Sequence, residues 1–433
     1  MAKKKKKALR WVRLDNAAKI YPAARSNEWS NVFRESVTLR EDIDVDVLRS
    51  ALDVTVKRFP SIAARLRKGM FWYYLQQLES APNIREEQSY PLSYMDYKEM
   101  QTCALRVIVY NNRIAVEFFH SLTDGNGALI FLKTLTAEYL EQKYGISIPC
   151  EDGVLDRNEK PSEEELEDSF LKYSGKVPLS RQATDAWRLS KEPQKDGFIN
   201  LTCFMLPVKE TLALAHEHGV TVTAFFTAVM MKALINLQEE NVPIISKRKM
   251  IKVLLPVNLR PLFPSKSLRN FVMYTTPELD PRLGEYTFDE ICTIIKCKMG
   301  TEITPKYMSS LIATNVNDEL NPFLRIIPLP IKNIAMKAVF DSVGERKSSL
   351  TLSNLGVVTM PEIMRQYVER MDFILGVQSA SPYNCGMLSY GDTIYFNFIR
   401  SIRDAGLERH FFKILQEMGL PVTVDSNRSS MDE

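Results

Sequence analysis

The sequence contains little of what identifies several common classes of protein, beginning with cysteine and histidine. Six cysteines, at positions 103, 150, 203, 292, 297 and 385, form no C-x-x-C pair and show no zinc-ligand spacing. Only four histidines are present among 433 residues. We therefore expect reduced cysteines in a cytoplasmic protein, with neither a disulfide framework nor a bound metal.

Long apolar runs and an excess of charge are missing as well. The longest apolar run, near residues 224–235, is interrupted by Lys232 and is shorter than a bilayer requires. A net charge of +3 is small for a chain of this length and gives no electrostatic signature of nucleic-acid binding. The sequence predicts no transmembrane segment and no nucleic-acid partner.

Near the N-terminus, five lysines occupy positions 3–7. The residues that follow, ALRWVRLDN, do not form the continuous apolar core of a secretion signal. Two interpretations remain. The pattern favours a solvated tail, and a contact with nucleic acid or an anionic membrane is the alternative.

A chain of 433 residues is too long for one ordinary core, so we expect two domains of about 200 residues each. Strands mixed with long helices predict the α/β class. An acidic block, EKPSEEELEDSF, and scattered prolines mark a linker, which gives domains at 1–150 and 198–433 joined by 151–197. The acidic block is interpreted as a charged, solvated helix in preference to a metal or substrate site.

The chemically most specific stretch begins at residue 113. Alternating apolar residues over Arg113–Phe119 predict a strand that ends at His120. The turn formers of residues 121–127 follow, and apolar residues at helical spacing over 128–139 then predict an amphipathic helix. The pattern therefore places His120 at a strand end, facing a loop.

A histidine in that position suits general-base chemistry. Its reference pKa of about 6.5 allows the imidazole to take a proton at neutral pH. Asp124 is close enough across the turn to orient the loop, and Gly125 allows a sharp backbone turn. In the alternative interpretation, His120 is a hydrogen-bonded strand-end residue and Asp124 is only a helix N-cap.

Residues 120–125, HSLTDG, resemble the active-site motif of the acyltransferase superfamily. That superfamily includes chloramphenicol acetyltransferase, alcohol acetyltransferases and the condensation domains of nonribosomal peptide synthetases. Four further segments resemble the alcohol acetyltransferase branch in order and spacing. They are 14–24 (LDNAAKIYPAA), 218–234 (HGVTVTAFFTAVMMKAL), 254–264 (LLPVNLRPLFP) and 350–356 (LTLSNLG).

This resemblance implies two chloramphenicol acetyltransferase-like α/β sandwich domains that face each other across a central tunnel. It also implies an enzyme that moves an acyl group, with acetyl expected, from a thioester to a hydroxyl or amine. His120 would be the general base of a direct transfer in a ternary complex. Acyl-CoA is the expected co-substrate, a small alcohol or amine is the acceptor, and no bound cofactor is implied.

The resemblance also suggests roles for individual residues. Arg260 is the expected partner of Asp124, with a surface arginine as the alternative. Ser353 and Asn354 are candidates for stabilising the oxyanion, although turn formation is slightly favoured for them. A tunnel-lining segment would contain three further residues that could equally serve only in packing. These are Tyr383, Asn384 and Tyr390.

Two departures from the relatives bear on function. Condensation domains usually carry two consecutive histidines, whereas Phe119 occupies the first position here. The plant branch's Asp-Phe-Gly-Trp-Gly is also missing, because Asp372 and Phe373 are followed by Ile, Leu and Gly.

Three alternatives remain open beside acyl-CoA-dependent transfer. They are a condensation-type transferase that uses a carrier-protein thioester, a non-catalytic binding member of the family, and a hydrolase that activates water. No G-x-S-x-G elbow is present to favour the hydrolase. Acceptor identity, acyl chain length and oligomeric state are not predicted.

Overall fold

The computed structural model describes residues 10–24, 31–88, 90–179, 184–189, 191–194, 197–340, 347–377 and 381–427. The lysine run at positions 3–7 and parts of the predicted linker lie outside these ranges. The strands within them are β1 Trp11–Arg13, β2 Val32–Leu39, β3 Ala64–Lys68, β4 Tyr73–Gln77, β5 Ile84–Glu86, β6 Leu105–Tyr110, β7 Arg113–Phe119, β8 Asn200–Pro207, β9 Ile251–Asn258, β10 Val272–Thr275, β11 Glu278–Leu279, β12 Leu350–Val357, β13 Val368–Ile374, β14 Tyr383–Tyr390, β15 Thr393–Arg400 and β16 Thr423–Ser426.

Helices are interspersed among these strands along the chain. They are α1 Tyr21–Ala24, α2 Val45–Arg58, α3 Tyr97–Thr102, α4 Gly125–Tyr144, α5 Glu163–Leu166, α6 Ser169–Tyr173, α7 Val208–Glu217, α8 Val222–Asn241, α9 Phe288–Glu302, α10 Pro305–Leu320, α11 Pro322–Ile326, α12 Leu329–Val339, α13 Glu362–Arg365 and α14 Gly406–Glu417.

The first large sheet has the strand order β13-β2-β7-β6-β5. Alternation along β2 and β7 sends Phe33, Val116 and Phe118 into one apolar core, because successive side chains of a strand point to opposite faces. Helices α2 and α4 pack together over this sheet, where Phe131 of α4 meets the ring of Phe118 edge-on. Gly145, with a left-handed φ of 65°, ends α4.

The other face of this sheet carries a buried charge cluster. Glu117 of β7 accepts hydrogen bonds from Arg34 of β2 at 2.7 Å and from Arg106 of β6 at 3.0 Å. Glu87 completes the cluster by binding Arg34 with both oxygens. Since a one-residue slip would move these charges into the apolar core, the cluster helps to fix the strand register.

The second large sheet has the order β10-β9-β12-β14-β15-β8-β16, with β11 paired to β9. Helices α8 and α14 pack against each other over its apolar face. Phe226 of α8, Phe396 of β15 and Phe411 of α14 meet in this second core. A smaller sheet, β1-β4-β3, lies near the N-terminus.

The division between the sheets departs from chain order at one strand. Residues of β13 belong to the second half of the chain, yet β13 pairs antiparallel with β2, with Met371 opposite Val37. The first sheet therefore includes a strand from the later part of the sequence. The boundaries at 150 and 198 stay a prediction.

The acidic block of the predicted linker is only partly solvated. Glu163 is exposed, whereas Glu165 binds the buried guanidinium of Arg58 at 2.5 and 2.8 Å. The carbonyl of Glu165 also accepts the Leu268 N–H at 2.9 Å. The segment thus packs against the loop of residues 264–271.

In the described part of the chain, no single helix is long and apolar enough to cross a membrane. The pair α7 and α8 is long and apolar enough only when the two helices are counted together, and they are bent by 78°. Most of α8 is buried in the second core.

Candidate active site

His120 follows β7 directly and precedes α4, as the pattern of the sequence predicts. Its backbone N–H donates to the Asn31 carbonyl at 2.9 Å, which extends the pairing of β7 with β2 by one residue. Asp124 caps α4 by accepting the Gly127 N–H at 3.1 Å. The imidazole is therefore held at the junction of a strand and a helix.

The hydrogen bonds of Asn270 define the tautomer of His120. Asn270 Nδ2 lies 3.2 Å from a carboxylate oxygen of Asp15 and 3.0 Å from the His120 carbonyl, and both of these groups can only accept. The amide orientation is thereby fixed, with Oδ1 placed 3.1 Å from His120 Nδ1. Because Oδ1 can only accept, Nδ1 carries the proton and Nε2 carries the free lone pair.

Aromatic rings hold the imidazole from two sides. Tyr21 of α1 stacks on it with a centroid separation of 4.4 Å and an interplanar angle of 17°. Phe33 of β2 lies 4.9 Å away at a tilt. Burial lowers the pKa of His120 below its usual 6.5, against weaker opposing contributions from a backbone hydrogen bond, Asp124 and Asn270. The imidazole is consequently neutral at neutral pH.

Asp124 and Arg260 are brought together in the structure. Asp124 Oδ2 accepts from Arg260 Nη1 and from the Phe271 backbone N–H, each at 2.8 Å. The same guanidinium donates to the carbonyls of Ser267 and Arg269, both at 2.7 Å from Nη2. One buried carboxylate therefore ties the start of α4 to the loop that carries Asn270.

A cavity of about 260 Å³ opens beside His120. Its lining comes from both halves of the chain, with Tyr21, Phe33 and Leu129 from the first half and Leu254, Pro256 and Val272 from the second. Three predicted site residues of the second half also line it. They are Ser353, Asn354 and Asn384.

These three residues differ in how far their side chains are already engaged. Asn354 Nδ2 donates to Thr223 at 2.9 Å, and its Oδ1 accepts the Gly356 N–H at 2.7 Å. Asn384 Oδ1 accepts a hydrogen bond from the Thr351 N–H, and Asn384 Nδ2 donates one to the Gly376 carbonyl. Both amides therefore have a structural task, whereas the Ser353 hydroxyl has no side-chain hydrogen bond recorded among the described residues.

Tyr383 and Tyr390 lie outside the cavity wall. The Tyr383 hydroxyl donates to the Asp404 carbonyl at 2.5 Å, and its ring belongs to the second core. Tyr390 packs against the first core, with its hydroxyl 3.4 Å from the Val368 carbonyl. For these two residues the geometry agrees with the packing alternative.

Asp15, Tyr21 and Asn270 are candidate-site residues for which the sequence pattern predicts no individual role. Asp15 and Tyr21 fall within the segment 14–24 that resembles the alcohol acetyltransferases, so that resemblance was the available signal for them. No local pattern distinguishes Asn270 from any other polar loop residue.

Among the described residues, no group of three or more His, Cys, Asp or Glu side chains could hold a metal ion.

Comparisons by sequence give no relatives, since no protein-family model and no curated protein matches this chain. Comparisons by structure do. TRI3 trichothecene 15-O-acetyltransferase from Fusarium sporotrichioides is 12% identical, with 94% of each chain covered and a TM-score of 0.59. TRI101 of F. graminearum, complexed with ethyl coenzyme A, is 12% identical, with 97% of this chain and 100% of that chain covered and a TM-score of 0.60.

A third similar structure comes from a peptide synthetase. The first condensation domain of the calcium-dependent antibiotic synthetase is 13% identical, with 96% of this chain and 99% of that chain covered and a TM-score of 0.56. Such low identities show the fold alone. The predicted α/β class with two chloramphenicol acetyltransferase-like domains is confirmed, while the central tunnel stays a prediction.

A second carboxyl group lies under the start of α4. Glu35 of β2 is buried, and neither of its oxygens has a hydrogen-bond partner among the described residues. Its Oε1 lies 3.6 Å from the position that a Cβ on Gly125 would take. Burial raises the pKa of Glu35 well above its usual 4.5, Asp124 raises it further, and Lys133 opposes both.

We expect Glu35→Gln to stabilise the protein more at pH 8 than at pH 5. The folded-state pKa of Glu35 is above its unfolded value, so the native protein keeps a proton that the unfolded chain loses. The free energy of unfolding therefore falls as pH rises between the two pKa values, by up to about 1.4 kcal/mol per pH unit. Thermal unfolding of both proteins across this pH range measures the difference. The exposed Glu86→Gln is the control, and an equal effect of both substitutions would contradict the assignment.

The two glycines at the start of α4 should respond differently to alanine. A Cβ on Gly127 would collide with Thr123 Oγ1 and with the backbone carbonyl of Leu268, whereas a Cβ on Gly125 would collide with the end of the Leu355 side chain, at 2.6 Å, and make only an ordinary contact with Glu35. We expect Gly127→Ala to lower the free energy of unfolding by about 1–3 kcal/mol, and Gly125→Ala to change it little because Leu355 can rotate. Denaturant unfolding tests both variants, and equal stabilities would contradict this account.

Proposed function

We propose that this protein transfers an acyl group from acyl-CoA to a hydroxyl or amine acceptor, with His120 as the general base. The observation that carries the proposal is the tautomer of His120. Its Nδ1 proton is held by Asn270, which leaves Nε2 unprotonated, and His120 lines the same cavity as Ser353. A neutral imidazole with one defined basic nitrogen is what proton abstraction from an acceptor requires.

In the proposed reaction, the acceptor hydroxyl or amine gives its proton to His120 Nε2 while its oxygen or nitrogen attacks the thioester carbonyl. The tetrahedral oxyanion that forms is stabilised by the Ser353 hydroxyl. Collapse of this intermediate breaks the carbon–sulfur bond, and the departing thiolate takes the proton from the His120 imidazolium. Donor and acceptor are both present throughout, so no acylated residue of the enzyme is formed.

Asp124 transfers no proton in this scheme. Its carboxylate is occupied by Arg260, the Gly127 N–H and the Phe271 N–H. Its proposed role is to hold the loop of Asn270 against His120. Arg260 acts with it, because its guanidinium binds two carbonyls of that loop.

Acyl-CoA is the proposed donor, since the similar TRI101 structure contains ethyl coenzyme A and another TRI101 structure contains coenzyme A with T-2 mycotoxin. The similarity to condensation domains keeps a carrier-protein thioester as the alternative donor. We assign the chain to the alcohol acetyltransferase branch on the motif and segments described above. The two substrates are proposed to reach His120 from opposite ends of a tunnel between the two domains.

Thiol release from a panel of acyl-CoAs, with and without alcohols and amines, tests the function. Release that depends on an acceptor supports the proposal. Release without an acceptor would indicate a hydrolase, and no release with any acyl-CoA would contradict the proposal in favour of a carrier-protein donor or a binding protein.

We expect His120→Ala to lower the single-turnover rate by about 10²- to 10⁴-fold, because a positioned base contributes about that much. Acyl-CoA affinity should be retained, since the imidazole is one side chain in a larger wall. His216→Ala is the matched control, as His216 is exposed on α7. Equal rates for wild type and His120→Ala, with both proteins folded, would show that another group takes the proton.

Asn270→Ala tests the positioning of the base by its pH dependence. The rate should fall as pH falls through the pKa of His120, which lies below 6.5. Removal of the Asn270 hydrogen bond should lower that pKa further, because this bond favours the protonated ring. It should also lower the plateau rate roughly five- to tenfold, since one hydrogen bond contributes about 1 kcal/mol.

The inflection of the pH profile distinguishes a direct effect of Asn270 on His120 from an effect on the structure of the loop. A lower plateau with an unchanged inflection would mean that Asn270 acts only on the structure of the loop.

A further inference from the structure

The carboxylate of Asp15 is buried in the turn between β1 and α1. Each hydrogen bond or ion pair that it makes in the described part of the chain comes from a donor. Its Oδ1 accepts the Ala18 N–H at 2.7 Å, and its Oδ2 lies 3.2 Å from Asn270 Nδ2 and 3.6 Å from a guanidinium nitrogen of Arg269. An ionised carboxyl group accepts at both oxygens and an amide at only one, so this position suits aspartate and not asparagine.

The amide of Asn270 relates this carboxylate to the candidate base. Its Nδ2 donates both to Asp15 and to the His120 carbonyl, which places its Oδ1 at 3.1 Å from His120 Nδ1. A reversed amide would turn Oδ1 toward two groups that only accept, and would turn Nδ2 toward the ring. Asp15 is the one of these two acceptors that a side-chain substitution can remove.

The segment that carries Asp15 is held at two points near the site. The guanidinium of Arg269, besides its contact with Asp15, donates to the Arg13 carbonyl. The Ser121 hydroxyl donates to the Ala18 carbonyl at 2.9 Å. Arg269 and Ser121 are the direct neighbours in sequence of the amide and of the base, so the position of Asp15 relative to both is fixed.

The charge of Asp15 acts on the imidazole in addition to its position. Burial lowers the pKa of His120, and Asp15 is among the groups that oppose this effect. Asp15 thus favours the imidazolium that forms when the base has taken a proton. Asp124 acts in the same direction, but its carboxylate is paired with Arg260 at 2.8 Å, whereas the ion pair of Asp15 with Arg269 is longer, at 3.6 Å.

From this geometry we propose that Asp15 is a positioning residue for the acyl transfer, the first member of a relay formed by Asp15, Asn270 and His120. The carboxylate holds the amide in one orientation, and the amide holds the proton on Nδ1, so that Nε2 is the basic nitrogen. The aspartate of a Ser-His-Asp triad fixes the tautomer of its histidine directly, whereas here an amide lies between the two. The proposal rests on the function proposed above, but the tautomer that it predicts is measurable without substrate.

Two substitutions separate this role from a purely structural one. In Asp15→Asn, the Ala18 N–H retains the amide oxygen, so the new NH₂ group faces Asn270 Nδ2. Reversal of the Asn270 amide relieves this contact between donors and directs a donor at His120 Nδ1, which favours the proton on Nε2. Asp15→Ala introduces no donor, and the His120 carbonyl then continues to orient the amide.

Nitrogen-15 NMR of histidine-labelled protein at pH 8 reads the tautomer, and His120→Ala assigns the signals among the four histidines. We expect the proton on Nδ1 in wild type and in Asp15→Ala, and a shift of population toward Nε2 in Asp15→Asn. The single-turnover rate of acyl transfer should fall at least about tenfold in Asp15→Asn, since a hydrogen bond to a charged group is lost, and it should fall less in Asp15→Ala.

Thermal unfolding should rank the two variants in the opposite order. Asp15→Ala removes the acceptor of the Ala18 N–H and leaves a cavity, so it should lose more stability than Asp15→Asn. A purely structural role predicts the same order for stability, tautomer and rate.

Asp168→Asn is the matched control. Burial and Asp15 raise the pKa of Asp168 to about 6, while Arg269 opposes them, so this carboxyl group belongs to the same charged surroundings. Among the described residues, its side chain binds the Phe170 N–H at 3.2 Å and not the Asn270 amide. The tautomer and the rate of this variant should be those of wild type.

Four results would overturn the proposal. They are a proton on Nε2 in folded wild type, an unchanged tautomer and rate in Asp15→Asn, the same order of the two Asp15 variants in rate and stability, and failure of both variants to fold. The last two would assign Asp15 to the fold alone. Absence of transfer by wild type, with every tautomer as expected, would instead contradict the proposed function and leave the orienting role of Asp15 in place.

Discussion

The arrangement of the candidate site depends on the buried carboxylate of Asp124. This group begins α4 through the Gly127 N–H, and through Arg260 and the Phe271 N–H it holds a loop nearly 150 residues further along the chain. Leaving a buried charge uncompensated costs about 3–5 kcal/mol of folding stability, so the positions of these partners relative to Asp124 are strongly constrained. The same loop carries Asn270, which binds His120. The hydrogen bonds that compensate the Asp124 carboxylate therefore also fix the position of the candidate base.

His120 also illustrates how three distant segments determine the chemistry of one side chain. The strand β7 supplies the imidazole, the N-terminal segment supplies Asp15 and Tyr21, and the loop after β9 supplies Asn270. Asp15 fixes the amide of Asn270, and that amide in turn fixes the proton on Nδ1. Tyr21 and Phe33 exclude water from two sides of the ring, and the resulting burial lowers its pKa. Together these contacts define both which nitrogen is basic and over what pH range it is unprotonated.

The local parts of this arrangement could be predicted from the sequence, whereas the long-range parts could not. Alternation over Arg113–Phe119 and the turn formers after His120 determine a strand, a turn and a helix without reference to the rest of the chain. Arg260 was suggested only by resemblance. Asn270 is 150 residues from His120 and carries no local signal. Tyr383 and Tyr390 show that a segment resemblance does not say which of its residues face a cavity. The side chains of Tyr383 and Asn384 point to opposite faces of β14, and Tyr390 lies about 20 Å further along the strand.

Two carboxyl groups lie near the start of α4, and the structure accommodates their burial in opposite ways, one as a compensated charge and the other as a neutral group. Asp124 receives hydrogen bonds from three donors, one of which is a guanidinium. Glu35 has no hydrogen-bond partner among the described residues, and burial raises its pKa, so its carboxyl group remains neutral. The charge of Asp124, in contrast, is compensated by Arg260. A second full negative charge here would repel Asp124, whose hydrogen bonds with Arg260 and the Phe271 N–H hold the loop of Asn270. The neutrality of Glu35 therefore avoids a repulsion that would act on Asp124, the residue that holds the loop of Asn270 against His120.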